Sequence, residues 1–263
     1  MRTIFSFLFC SIFYFDSVAQ FAPIISDRPG RTISPTTVLS KWLQIEMGFQ
    51  KQTERFQPVL KDLYFQQPAF LVKYGITKRF EVRLITELAY VKEENITINT
   101  SYKGFNNTQI GGKINVLREK GIIPKTSLIA HYRLNTLNTH AIGHDSINGG
   151  NITLSMLNTI SEKFLIGYNL GVEKFTWRYE PMYFYSLSPK FNIAEKWQAF
   201  VEIYGNLWKD RNAQTSIDGG ISYYINDDFK VDASAGTRIN KNTNIKFYSV
   251  GGSFRFKTSN KNL

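Results

Sequence analysis

Residues 215–238, TSIDGGISYYINDDFKVDASAGTR, decide how the rest of the chain is read. Ile217, Gly219, Ile221 and Tyr223 alternate with Asp218, Gly220, Ser222 and Tyr224. Beyond Ile225-Asn-Asp-Asp-Phe229, the residues Phe229, Val231, Ala233 and Ala235 alternate with Lys230, Asp232, Ser234 and Gly236. A period of two on both arms predicts a β-hairpin and not a helix. In a soluble sandwich the apolar face would pack on a core. The same pattern turned inside out, with lipid outside and a polar lumen within, describes a membrane barrel.

The turn of this hairpin recurs. Ile76-Thr-Lys-Arg-Phe80, Ile160-Ser-Glu-Lys-Phe164 and Ile193-Ala-Glu-Lys-Trp197 repeat its order of an isoleucine, three mostly polar residues and an aromatic. Leu117-Arg-Glu-Lys-Gly121 is a looser copy that runs on to Pro124. Between these turns lie segments of about ten residues, the length that crosses a bilayer at a tilt. They are 41–51, 66–75, 79–90, 107–117, 124–135, 150–160, 163–173, 183–193, 196–206, 214–225, 228–238 and 244–257, an even number of strands. The connections at the opposite edge, 52–65, 91–106, 136–149, 174–182, 207–213 and 239–243, are mostly long and polar. Short turns on one edge and long loops on the other are the asymmetry of outer-membrane barrels. Aromatics stand directly after the short turns (Phe80, Phe164, Trp197, Phe229) and collect near the long loops (Tyr90, Trp177, Tyr179, Tyr183, Tyr204, Trp208), as interfacial girdles do. The expected fold is all-β: a transmembrane antiparallel β-barrel of about 12 strands, with short periplasmic turns and longer extracellular loops.

Arg2, the apolar run 4–15 and Ser17-Val-Ala19 read as a secretory signal over residues 1–19. Residues 20–40, with Pro23, Pro29 and Pro35, form an N-terminal periplasmic segment; 41–257 is the barrel and 258–263 a tail. The single cysteine, Cys10, lies in the signal, so stability after export rests on strand closure and not on disulfides. The net charge of +11 is spread along the chain without a basic stripe. Together with export, this excludes nucleic acid and assigns the positive charge to outer-membrane lipid and lipopolysaccharide head groups. No oligomeric state is legible.

Carboxylates and bases fall on the face opposite the apolar one, and these are the candidate lumen and solute-lining residues: Glu46, Lys73, Glu81, Arg83, Glu87, Lys113, Arg133, Glu173, Lys190, Glu202, Asp218, Lys230, Asp232, Arg238 and Arg255. Two roles stay open for them: a charged lining that selects solute, or a salt-bridge network that fills a narrow lumen. Asp27 and Arg28 mark the N-terminal mouth. Residues 20–40 are too few for a plug domain; the segment is expected to tuck into the periplasmic mouth, with Arg28 pairing to an inward carboxylate such as Glu46 or Glu81, a flexible leader being the alternative. His140, His144 and Asp145 sit in an Asn/Thr-rich loop and are read as solvated, so no metal and no cofactor is expected. His131 with Ser127 or Ser155 would be the raw material of a barrel hydrolase, but no nucleophile motif surrounds either serine. No catalytic residue is assigned.

Asp27-Arg-Pro29, Gln44-Ile-Glu-Met-Gly-Phe49, Leu71-Val-Lys-Tyr-Gly-Ile-Thr-Lys-Arg-Phe-Glu-Val-Arg-Leu84, Ile110-Gly-Gly-Lys113 and Ser216-Ile-Asp-Gly-Gly-Ile-Ser-Tyr223 occur in that order. In this the chain resembles the MetA-pathway phenol-degradation family of outer-membrane barrel transporters, over roughly residues 25–256. The resemblance implies passage of a small, aromatic or hydrophobic solute. A non-conducting structural or adhesive barrel is the alternative.

Overall fold

The structure is a computed structural model that describes residues 23–56, 62–94, 99–134, 148–176, 179–209, 211–239 and 243–258. The strands are β1 (Trp42–Phe56), β2 (Asp62–Gly75), β3 (Phe80–Glu94), β4 (Asn99–Leu117), β5 (Lys125–Arg133), β6 (Gly149–Ser161), β7 (Phe164–Phe175), β8 (Met182–Ala194), β9 (Trp197–Leu207), β10 (Gln214–Asn226), β11 (Phe229–Ile239) and β12 (Thr243–Lys257). Each pairs antiparallel with its neighbours in chain order. β1 meets β12 in register from Trp42↔Lys257 to Phe56↔Thr243, which closes the barrel and removes both edges. The signal expected over residues 1–19, the loop holding His140, His144 and Asp145, and the tail past Thr258 lie outside the described residues.

The recurrent turn has a geometric basis. Ladder register shifts at Thr159/Ser161, Asn192/Ala194 and Tyr224/Asn226, so Ile160, Ile193 and Ile225 are the extra residue of a β-bulge just before each turn. All three isoleucines are exposed on the outside of the rim. A bulge increases local twist, and the aromatic four residues after the isoleucine starts the return strand at the same rim. Phe164 there stacks on Phe191, with ring centroids 5.1 Å apart, and Trp197 lies 4.7 Å from Tyr223.

At the other edge, the expected loops 52–65 and 91–106 are mostly ladder. Pairing of β1 with β2 continues to Arg55↔Asp62 and that of β3 with β4 to Glu94↔Asn99. Past the lipid neither face has to be apolar, so the hydropathy contrast fades. The β-favouring residues Thr53, Val91 and Thr100 still carry the strands onward.

The two faces of the wall have opposite chemistry. Phe49, Ile110, Leu170, Val201 and Val250 point outward and are each more than half exposed. Gln44, Glu46, Lys73, Glu81, Arg83, Lys113 and Glu202 point inward and are no more than 2% exposed. The hairpin of residues 215–238 follows this division: Ser216, Asp218, Ser222, Lys230, Asp232 and Ser234 are buried, while Ile217, Ile221, Phe229 and Val231 are exposed. Only lipid can solvate so continuous an apolar exterior.

The segment before β1 enters the barrel. Ile24 N donates to Asp227 O (2.7 Å) in the β10–β11 turn. Thr37 Oγ1 donates to Lys78 O (3.2 Å) and Ser40 Oγ to Ile76 O (3.2 Å) in the β2–β3 turn. Both ends of the segment therefore sit at the short-turn rim. Its tip is deep inside, where Thr32 N meets Glu202, five residues into β9 from Trp197. The segment expected to tuck into the mouth reaches farther in than that, and forms an inserted loop. Inward-facing serines such as Ser127, Ser155, Ser186, Ser188 and Ser253 leave the room it fills.

Val201→Arg, on the lipid face at mid-strand, is expected to lower folding stability in lipid vesicles by about 2–4 kcal/mol, against about 0–1 kcal/mol for Ile239→Arg at the far end of β11. Urea titration of vesicle-folded protein measures both. Equal costs would contradict this placement of the bilayer.

Candidate functional site

The loop has no strand partner, yet its backbone donors and acceptors still require hydrogen bonds. The lumen wall supplies them. Asp27 N and Arg28 N donate to Glu46 Oε2 (3.0 and 3.1 Å). Arg31 N and Thr32 N donate to the two oxygens of Glu202, each at 2.6 Å. Ile33 N donates to Asn169 Oδ1 (2.7 Å) and Val38 N to Glu81 Oε2 (2.6 Å). The loop's carbonyls are met as well. Gln44 Nε2 donates to Ile25 O (3.0 Å), Lys230 Nζ to Arg28 O (3.0 Å), Ser155 Oγ to Ile33 O (2.5 Å), Lys113 Nζ to Ser34 O (2.8 Å) and Ser127 Oγ to Pro35 O (2.5 Å).

Asp27 is the hub of an ion cluster. Its carboxylate lies 2.6 Å from Arg83 Nη2, 3.7 Å from Lys73 Nζ and 3.8 Å from Lys113 Nζ. Lys73 also pairs with Glu46 (2.5 Å), and Glu81 with Arg83 (2.8 Å) and Lys113 (3.3 Å). Three carboxylates thus face three cations, so the cluster is neutral. Burial alone would raise the Asp27 carboxyl, but Lys113, Lys73 and Arg83 outweigh it and hold the group well below the usual carboxylate range.

The Arg28 side chain pairs with an inward carboxylate, though with neither of the two examples the sequence offered, Glu46 and Glu81. Its Nη2 donates to Asp232 Oδ1 (2.9 Å) and to Ser249 Oγ (3.0 Å). The guanidinium lies over Gly48 and Gly251, which face each other across the β1–β12 seam, and a Cβ on either would collide with it. Glycine inside a strand marks such a close approach.

The candidate residues fall into three groups. Glu46, Glu81, Arg83, Lys113, Glu202, Lys230 and Asp232, with Lys73, hold the loop through Asp27, Arg28 and the backbone. Glu87, Arg133, Glu173, Asp218 and Arg238 lie beyond it, toward the long connections. Of these, Arg133 and Glu173 approach each other at 3.4 Å, Glu173 and Arg238 line a cavity of about 360 Å³, and Glu87 and Asp218 line one of about 120 Å³. Arg255 stands apart at the short-turn rim, paired with Asp228 (2.8 Å) and lying over Trp42 (5.4 Å). On the short-turn side of the loop, a third cavity of about 100 Å³ is lined by Ile25, Pro29, Leu157, Leu165, Lys190 and Phe200, among others.

His131 is engaged by other partners. Its Nε2 accepts from Arg83 Nε (3.1 Å) and its Nδ1 faces Asn151 Oδ1 (3.2 Å). The hydroxyls of Ser127 and Ser155 donate to loop carbonyls, so the serine–histidine pairing considered from the sequence is not assembled here. Among the described residues no cluster of metal-ligating side chains occurs.

Fold and enclosed face together define a transmembrane β-barrel of the outer-membrane type. Over residues 26–256 the chain matches the family described as "Putative MetA-pathway of phenol degradation", and it belongs to that family. Among solved structures it is similar to an outer membrane channel from Pseudomonas putida F1, with TM-score 0.67, 8% identity and coverage of 87% of this chain and 99% of that one. It is also similar to the translocator domain of the autotransporter NalP from Neisseria meningitidis (TM-score 0.56, 11% identity, 81% and 88% covered). A third is the KdgM porin in complex with disordered oligogalacturonate (TM-score 0.52, 9% identity, 80% and 99% covered). At these identities the likeness is one of fold. No curated protein matches the chain by sequence.

Asp27→Asn is expected to free the loop, because it leaves three buried cations facing two carboxylates; breaking such a pair costs about 3–5 kcal/mol. The readout is faster hydrogen exchange of the Arg31, Thr32 and Ile33 amides. A carboxyl with a depressed pKa stabilises the docked state above its unfolded pKa, and that stabilisation is lost as pH falls through the folded value. Protection in the unsubstituted chain should therefore persist through the usual carboxylate range and fail only in stronger acid. Loss of protection near pH 5 would contradict the assigned role of Asp27.

Proposed function

We propose that this protein is an outer-membrane channel for a small aromatic or hydrophobic solute, exported by a signal over residues 1–19, whose lumen is obstructed by its own N-terminal loop. The observation that carries this reading is the position of residues 28–30: one cavity adjoins them on the short-turn side and another on the side of the long connections. A single inserted loop, and no independent domain, lies between the two. Family membership and the fold shared with the Pseudomonas channel support the same reading, as does the polar wall, which would carry water once the loop moved.

One observation favours a second reading, a closed structural barrel. The Asp27 cluster is neutral, buried and fully hydrogen-bonded, which suits a permanent fixture. The fold does not choose between them, since one architecture hosts unrelated functions.

Planar-bilayer recording separates the two. The full chain is expected to give small or intermittent currents, and deletion of residues 24–36 to raise conductance severalfold, with the barrel still resistant to unfolding in detergent. A deletion variant that folds and stays silent would sink the channel reading.

A further inference from the structure

We propose that the cavity of about 360 Å³ beyond the loop tip is a binding site for a small aromatic carboxylate, held by Arg31 and Arg238. The proposal rests on the channel reading for its purpose, but not for its chemistry. Arg31 comes from the loop and Arg238 from β11, so two guanidinium groups from separate elements face one space. Among the described residues neither has a carboxylate within ion-pair distance. Arg31 lies against the Tyr204 ring, 5.8 Å from its centroid, and Arg238 Nε is buried with no hydrogen-bond partner. A buried donor left unsatisfied is costly, and the planar guanidinium fork matches a carboxylate.

The remainder of the wall sets the body of the ligand. Phe184 lies over Gly171 and Phe247 over Gly236, each ring resting where a Cβ would collide with it, so both present apolar surface to the cavity. Ile245 and Tyr204 extend that surface. Polar groups such as Gln52, Asn169, Ser186, Asn206 and Ser216 share the wall with these rings, so the cavity is a mixed pocket whose volume suits a small ligand with one apolar and one polar end.

The carboxylates nearby limit the charge such a ligand can carry. Glu173 lines the cavity but has Arg133 beside it, Glu54 acts on Arg238 from beyond ion-pair distance, and Glu87 and Asp218, which act on Arg31, line the adjoining space that Arg31 also borders. A monoanion placed between Arg31 and Arg238 meets less repulsion from these carboxylates than a phosphate dianion would. A neutral aromatic would fill the apolar part but leave the buried Arg238 Nε without an acceptor.

Isothermal titration of the purified, refolded full chain with benzoate, benzyl alcohol and acetate tests this. Benzoate should bind at least about tenfold more tightly than either analogue, since one charge-assisted contact corresponds to roughly that ratio. Arg31→Gln and Arg238→Gln should each weaken benzoate about tenfold, and Arg238→Lys should weaken it less. Heat-modifiable gel mobility confirms that each variant has folded. Equal affinity for benzoate and benzyl alcohol, or unchanged binding in a folded double Gln variant, overturns the proposal. Bilayer currents alongside absent benzoate binding would reject this site and keep the channel; benzoate binding lost in both Gln variants, with a silent loop deletion, would do the reverse.

Discussion

An irregular stretch of backbone inside a membrane barrel must have its amides and carbonyls bonded by something other than a sheet, and that requirement organises this lumen. Glu46, Glu81 and Glu202 each give carboxylate oxygens to loop amides, and Lys113, Lys230, Ser127 and Ser155 donate to loop carbonyls. These side chains come from β1, β3, β4, β5, β6, β9 and β11, so most of the wall is committed to one partner. Charges that would be costly to bury alone are tolerable because each finds an opposite charge or a backbone dipole. The loop needs the wall to satisfy its backbone, and the wall needs the loop to compensate its charges.

That mutual dependence separates the two roles open to the lumen charges at the sequence level. Near the loop the charges cancel: Asp27, Glu46 and Glu81 face Lys73, Arg83 and Lys113, which leaves little net field to attract or repel a solute. Beyond the loop the balance changes. Arg31 and Arg238 have no carboxylate at ion-pair distance among the described residues, and Asp218 Oδ1 and Arg133 Nε are buried without hydrogen-bond partners. Electrostatic work on a passing molecule would be concentrated there. The list of inward charges was thus two lists, one structural and one facing open space.

The barrel was legible because its periodicity is imposed by lipid. A period of two with one apolar face recurs along the chain, and in three of the four Ile-to-aromatic turns the isoleucine is the outward residue of a bulge at the rim. The loops at 52–65 and 91–106 misled because hydropathy reports the bilayer boundary and not the end of the ladder. The inserted loop was legible only in part. Asp27 and Arg28 stood out, but their partners did not, since which of many inward carboxylates lies opposite Arg28 depends on depth and on strand shear. A local signal was nonetheless present: Gly48 and Gly251, both at inward positions where a side chain was expected, mark the floor on which Arg28 rests. The inward run of serines likewise signals a lumen built to hold something other than its own side chains.

Arg31 belongs at once to the obstruction and to the cavity beyond it, and this fixes the sign of any coupling between them. A ligand held by Arg31 and Arg238 together binds only while the loop is docked, so by linkage it stabilises the docked state by an amount that grows with its concentration relative to its dissociation constant. Occupancy would therefore oppose opening and could not trigger it. Passage would require the ligand to exchange from the Arg31–Arg238 pair to Arg238 alone as the tip withdraws, which weakens its hold at the moment the path opens. The docked loop is itself secured by the Asp27 cluster and by the wall's bonds to its backbone, so the cavity adds a solute-dependent increment to the energy of that withdrawal. Obstruction and recognition are thus carried by nearby residues of one loop but in different settings: buried, balanced ion pairs at residue 27, and at residue 31 a guanidinium outside ion-pair distance of any described carboxylate that borders the open space beyond the loop.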